Sequence, residues 1–81
     1  MKIRVRLFAL ARELAGADVV ELELGKGSTI ADVRRELAGA HPALRSIVPH
    51  VMFAVDSDYA ADDASITPES EVACIPPVSG G

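Results

Sequence analysis

Ser79, Gly80 and Gly81 follow directly on the apolar run Val72-Ala73-Cys74-Ile75 and the stiff pair Pro76-Pro77. The chemistry open to such a segment lies in the carboxylate of Gly81. A Gly-Gly end has no side chains, so it enters a slot too narrow for other dipeptides and presents its carboxyl group there for activation by a partner enzyme. Pro76 and Pro77 lack a backbone N–H and have fixed φ, which stops strand pairing and holds the segment extended. Fully extended, Pro76 to Gly81 spans roughly 20 Å. The expected division is a folded domain over 1–75 and an extended tail over 76–81.

Nothing else in the chain assembles a reactive constellation. Gly25-Lys26-Gly27-Ser28-Thr29 follows a strand and opens a helix, but a phosphate loop needs glycine where Val20 stands, and Ser or Thr where Gly27 stands. It reads as a turn. Asp56, Asp58, Asp62 and Asp63 make an acidic cluster, yet an EF-hand loop counted from Asp56 would need Gly and Glu where Ala61 and Thr67 occur. That stretch reads as a solvated acidic loop, one that suits a basic partner surface. Cys74 lies in an apolar run with no basic neighbour in sequence to lower its pKa, so it reads as a small core hydrophobe. His41 and His50 have no partnered Cys or Glu spacing, and His41 near a helix C-terminus is explained by the macrodipole. No metal and no tightly bound cofactor are expected.

The chain of 81 residues suits one small domain. It is 49% hydrophobic and only 4% aromatic, so its core must be aliphatic. Net charge is -4 with pI ≈ 4.9, which argues against nucleic acid as a partner. No apolar run reaches the length of a membrane span, and the N-terminus alternates basic residues where a signal core would be apolar. A lone cysteine fits a reducing compartment, so the expected location is cytoplasmic. A mean hydropathy of +0.26 leaves apolar surface over for a partner.

The elements that must position the tail are legible as periodicities. Lys2 to Leu7 alternates strictly, placing Ile3, Val5 and Leu7 inward and, if continued, Phe8 on the outer face. Ala9 to Ala15 predicts a short helix closed by Gly16. Val20 to Leu24 alternates again, with Glu21 and Glu23 outside and facing Arg4 and Arg6 if the two strands are antiparallel neighbours. Thr29 with Asp32 predicts a capped helix start, Ile30, Val33 and Leu37 give its apolar stripe, and Gly39 and Pro42 its end. Val51 to Val55 reads as a buried strand, Asp56-Ser57-Asp58 and Thr67-Pro68-Glu69 as turns, and Val72 to Ile75 as the last strand. The class is α+β, a sheet covered by a helix on one face. If the last strand lies beside the first, Val72 and Cys74 point inward and Ile75 outward near Phe8. Phe8 and Tyr59 are then either edge caps of the core or partner contacts.

With these residues in place, the chain resembles the small subunit of molybdopterin synthase, a sulfur carrier of the ubiquitin-like β-grasp class. The resemblance covers the full length. It rests on Leu7-Phe8-Ala9 with Arg12-Glu13-Leu14-Ala15-Gly16, on Thr29-Ile30-Ala31-Asp32-Val33-Arg34, on Ala54-Val55-Asp56, and on Ser70-Glu71-Val72-Ala73 leading to Pro76-Pro77-Val78-Ser79-Gly80-Gly81. Two departures stand out: Asp56 where family members commonly carry Asn, and no aromatic near Cys74. The resemblance implies a β-grasp fold, a mixed sheet on one main helix with a flexible Gly-Gly tail. It implies that an ATP-using adenylyltransferase adenylates Gly81 and that sulfur then replaces one oxygen to give a thiocarboxylate. The large synthase subunit, assembled with this chain as a heterotetramer, would receive the tail (Pro76, Pro77, Val78, Ser79, Gly80) and pass the sulfur to a cyclic pyranopterin precursor to form the dithiolene. Phe8, Tyr59 and Ile75 match the apolar docking patch. Catalytic bases would belong to the large subunit. Related carriers for tRNA thiolation, thiamine synthesis or protein conjugation share the tail chemistry, and a chemically silent ubiquitin-like interaction module shares the fold.

Overall fold

A computed structural model describes residues 1–77 of the chain. Its elements are β1 (Lys2–Leu7), α1 (Ala9–Ala15), β2 (Val19–Glu23), α2 (Ile30–Ala40), β3 (Met52–Val55), β4 (Asp58–Ala60) and β5 (Val72–Ile75), with 3₁₀ turns at Pro42–Leu44 and Val48–His50 between α2 and β3. The strands form one five-stranded sheet in the order β2-β1-β5-β3-β4. Only β1 and β5 run parallel; the other neighbours are antiparallel. This mixed sheet wrapped on one main helix is the β-grasp arrangement.

Alternation decides the two faces of the sheet. Ile3, Val5 and Leu7 of β1 and Val72 and Cys74 of β5 point to one side, where each is at most 2% exposed. They join Phe53 and the α2 stripe Ile30, Val33 and Leu37 in a single core. Burying a side chain of this size contributes about 1.5–3 kcal/mol, so the aliphatic stripe holds the helix to the sheet with few aromatics. The intervening residues Lys2, Arg4 and Arg6 face solvent.

Helix ends follow their local chemistry. Gly16 closes α1 in the left-handed region, φ 71°, with its N–H donating to the Arg12 carbonyl. At the start of α2 the Thr29 N–H donates to Asp32 Oδ2 at 2.9 Å, and the Asp32 N–H returns to the Thr29 carbonyl at 3.0 Å. That Thr29 N–H is the main reason the Asp32 carboxyl sits below its ordinary value, with the Thr29 hydroxyl and Arg35 adding to the effect against some desolvation. The folded value is depressed, so the stabilisation is present above the unfolded carboxylate range and is lost as pH falls through the folded value. Asp32→Asn should therefore melt earlier than the native chain at neutral pH. The gap should narrow as pH is lowered through the carboxylate range, as a series of melting curves would record.

Several boundaries differ from the periodicity. Gly39 lies inside α2, which runs to Ala40; the helix stops at His41 because Pro42 cannot continue it. The β1–β2 register pairs Arg4 with Glu21 as expected, but sets Glu23 against Lys2 and Arg6 against Val19. β3 begins at Met52, one residue late, with Met52 exposed. The stretch after Asp56-Ser57 is not turn alone: it holds β4, a short edge strand. Asp56 (φ 51°) and Ser57 (φ 75°) both take the left-handed conformation that a two-residue hairpin loop demands. Asp56 is further held by Glu71, whose N–H donates to Asp56 Oδ1 at 3.0 Å. The acidic loop is thus in part a structural clip.

Arg34 is the polar centre of the helix-side packing. Its Nη1 donates to the carbonyls of Val48 (2.6 Å) and Val51 (3.0 Å), and its Nη2 to Asp62 Oδ1 (2.9 Å). The guanidinium carbon lies 5.0 Å from the centroid of the Phe53 ring, within cation–π range. One side chain thereby joins α2, the second 3₁₀ turn, the acidic loop and β3.

Candidate functional site

Phe8, Tyr59 and Ile75 line one concavity of about 590 Å³ on the sheet face opposite α2. Each arrives there for a separate reason. Phe8 extends the β1 alternation by one residue, and its N–H donates to the Cys74 carbonyl at 3.3 Å, which fastens it beside the end of β5. The chain then turns sharply, with Ala9 at φ 49°, in the left-handed region that costs a non-glycine residue roughly 1–2 kcal/mol. Ile75 is the outward residue after buried Cys74. Tyr59 stands on β4, whose register sets it against Ala54.

Exposure separates their roles in the free chain. Phe8 is 40% and Tyr59 68% exposed, whereas Ile75 is half-buried. Met52, 52% exposed, pairs with Ile75 in the β3–β5 register and enlarges the apolar surface. Its outward direction follows from the alternation of β3, a signal hidden by the continuous apolar run of which it is part. Two further residues shape the concavity without any chemical signature of their own: Ala54 and Ala73, neighbours across β3 and β5, form its floor.

The tail residues divide at the last described position. Pro76 is buried and Pro77 exposed, and neither pairs as strand. Val78, Ser79, Gly80 and Gly81 lie outside the described residues. β5 therefore leads the chain out at the Phe8–Ile75 end of the apolar face.

Cys74 contributes no reactive group here. It is 1% exposed, and burial pushes its thiol up to about 11 against a weaker opposing influence from Arg34. The native chain should resist iodoacetamide at neutral pH and react fully only when unfolded, which intact-mass spectra with and without denaturant would record. Among the described residues no three His, Cys, Asp or Glu side chains gather as a metal site, and no helix is long and apolar enough to cross a membrane.

The concave apolar face, the mixed sheet and the C-terminal strand leading out beside it can be set against known proteins. The ThiS family matches over residues 5–81, nearly the whole chain. The chain belongs to the ThiS family. Among curated relatives of this ThiS-family chain, the molybdopterin synthase sulfur carrier subunit of Chlamydomonas reinhardtii is 40% identical over 83 residues and is covered, like this chain, over 100% of its length. The subunit of the same name from Arabidopsis thaliana is 38% identical, covering 100% of this chain and 84% of its own. A third similar relative is small archaeal modifier protein 1 of Haloferax volcanii, 34% identical over 94% of this chain and 97% of its own. The crystal structure of SAMP1 from that organism superposes with a TM-score of 0.89 at 32% identity, covering both chains fully. The ThiS-family fold is thus shared from β1 through β5.

Proposed function

We propose that this chain is the sulfur carrier subunit of a molybdopterin synthase, with the Gly81 carboxyl as the group that carries sulfur. The observation that carries the proposal is the full-length 40% identity to a sulfur carrier subunit of that synthase. The family match also runs through Gly81 itself.

The chemistry then follows from the carboxylate. Its oxygen is a poor leaving group, so a partner adenylyltransferase must first join it to the α-phosphate of ATP, releasing pyrophosphate. Attack by hydrosulfide, delivered by a sulfur source, on the acyl-adenylate carbonyl expels AMP, releases a proton and leaves a thiocarboxylate on Gly81. That group is ionised and soft at neutral pH, suited to attack on carbon of the cyclic pyranopterin precursor. Holding it at the tip of a tether bound in the large subunit turns a bimolecular transfer into a positioned one. Pro76 and Pro77 stiffen the root, while Val78, Ser79 and Gly80 form the slender approach. ATP is spent by the activating enzyme and is not held by this chain.

The apolar face of Phe8, Tyr59 and Ile75 is the docking surface for the large subunit in this scheme. Phe8→Asp should weaken that complex by about 2 kcal/mol or more, as loss of an aromatic anchor does. The melting temperature should change little because the ring is already half in water. Calorimetric titration against the large subunit, paired with a melting curve, checks both; severe unfolding would place Phe8 in the core instead.

Carrier function is tested by the intact mass of the chain incubated with its adenylyltransferase, ATP and a sulfur source. The expected product is heavier by the exchange of one oxygen for sulfur at the C-terminus. An unshifted mass would leave only a silent interaction module. A second reading, protein modification, is favoured by the 34% identity to a small archaeal modifier protein. Lysine conjugates of this chain in its host would support it; co-purification with a large synthase subunit supports the first.

A further inference from the structure

Among the described residues, three that are not glycine take positive φ: Ala9, Asp56 and Ser57. All three border an outward aromatic. Ala9 follows Phe8, and Asp56-Ser57 is the loop that turns β3 into β4, which carries Tyr59. Glycine holds the same region at Gly16 and Gly27, in turns that do not line the concavity. Left-handed backbone at a non-glycine residue persists only where its surroundings over-determine it, and such strain gathers at binding and catalytic sites.

The surroundings of Ala9 are fixed on both sides. Phe8 keeps strand dihedrals (φ -121°, ψ 156°), and its N–H continues the ladder to the Cys74 carbonyl. Ala11 is already fully buried in the core. The Phe8 carbonyl accepts from the N–H groups of Ala11 at 3.0 Å and Arg12 at 3.4 Å, so strand becomes helix across Ala9 alone. The start of α1 lacks the usual supports: Phe8 offers no side-chain cap, and no acidic residue lies in the first turn. The methyl group of Ala9 also excludes much of the dihedral space open to glycine, which holds the turn in fewer conformations.

We infer that Ala9 is a positioning residue for Phe8: its left-handed backbone sets the ring outward, beside the end of β5, before a partner arrives. The inference rests on the proposed synthase partnership and deepens it. A preset ring spares the ordering of an aromatic anchor on binding. Of the two residues that flank the turn, Phe8 is the more weakly held, by one hydrogen bond of 3.3 Å and with its side chain exposed, whereas Ala11 is locked in the core. A residue at position 9 that cannot hold positive φ therefore displaces Phe8 and leaves α1 in place.

The test titrates the recombinant large synthase subunit with the full chain, native and carrying Ala9→Gly, Ala9→Asn, Ala9→Val or Ala9→Pro. Melting curves and amide hydrogen exchange at Phe8 are recorded on the free chains. Glycine and asparagine enter the left-handed region readily. Proline cannot, because its ring locks φ at about -65°; it otherwise suits the first helical position and accepts an extended residue before it. Ala9→Gly and Ala9→Asn should bind within about threefold of the native chain. Ala9→Pro should bind at least roughly tenfold more weakly, as when an aromatic anchor is misplaced. Its Phe8 amide should exchange faster while its melting temperature stays close to native. Ala9→Val, stiff at its branched Cβ, should move binding in the same direction and decides the question if the proline variant unfolds. Native-like binding by folded Ala9→Pro, or by Ala9→Val in its place, would overturn the inference and leave the partnership standing. Equal losses in Ala9→Asn and Ala9→Pro would assign the effect to the alanine surface, and lost binding with unchanged exchange at Phe8 would assign it to α1; either result overturns the inference. Absence of native binding would overturn the inference and the partnership together.

Discussion

Deletion of Gly81 is expected to abolish sulfur delivery and to leave the melting temperature unchanged. The two halves of this expectation have separate physical origins. Stability resides in the core, whose buried side chains come from β1 through β5, with Pro76 the last buried residue along the described chain. Removal of the terminal residue leaves every one of these core side chains in place. Activity depends on where the carboxyl carbon sits. Losing one residue withdraws it by up to about 3.5 Å, and misplacement of a reacting group by even about 1 Å costs on the order of a hundredfold. In the proposed scheme Gly81→Val should fail for a second reason, because its side chain would meet the walls of a narrow slot suited to Gly-Gly. Thiocarboxylate formation by intact mass, run beside a thermal melt, measures both halves. Marked unfolding of the deletion variant would contradict the division between domain and tail.

Arg34→Ala should produce a large loss of stability for a single polar substitution on the helix side. It removes the donors to the Val48 and Val51 carbonyls and to Asp62, and strips the cation from the Phe53 ring. Each partner left without its bond costs about 1–3 kcal/mol where water cannot reach it. Arg34 retains some contact with solvent, and Asp62 more, so the losses do not sum in full. A destabilisation of about 2–4 kcal/mol is expected. For a domain of this size, that lowers the melting temperature by roughly 10–25 °C. Arg34→Lys should recover only part, because one ammonium cannot reproduce the forked geometry. Denaturant titration of both variants decides it; a loss below about 1 kcal/mol for Arg34→Ala would show that the carbonyls find water instead.

How far the fold was legible depends on whether its determinants are local. β1, α1, the start of α2 and β5 follow from alternation, helix-forming residues and caps, each contained within a few positions. β4 left no such trace. Asp58-Tyr59-Ala60 is only three residues long, exposed along most of its length, and therefore has no inward–outward period. What makes it a strand is the positive φ of Asp56 and Ser57 together with pairing to β3. Arg34 was equally hidden as a clamp, since two of its partners are backbone carbonyls, which any residue type supplies. The outward direction of Phe8 and Ile75 was readable from period alone. The alanine floor and its flanking arginine were not, because Arg6, Ala73, Ala54 and Tyr59 become neighbours only through the register of three strand pairs.

That register is what turns scattered residues into one concave face at the root of the chain's last segment. The face and the terminal carboxyl belong to one scheme only if the chain, once charged with sulfur, delivers it through the large subunit. The most direct measurement combines the thiocarboxylated chain, the large synthase subunit and the cyclic pyranopterin precursor, and scores dithiolene formation against the uncharged chain. Dithiolene should form with the thiocarboxylated chain alone, with the carrier returned as its ordinary carboxylate. Unchanged precursor in the presence of charged carrier and bound large subunit would contradict the assignment.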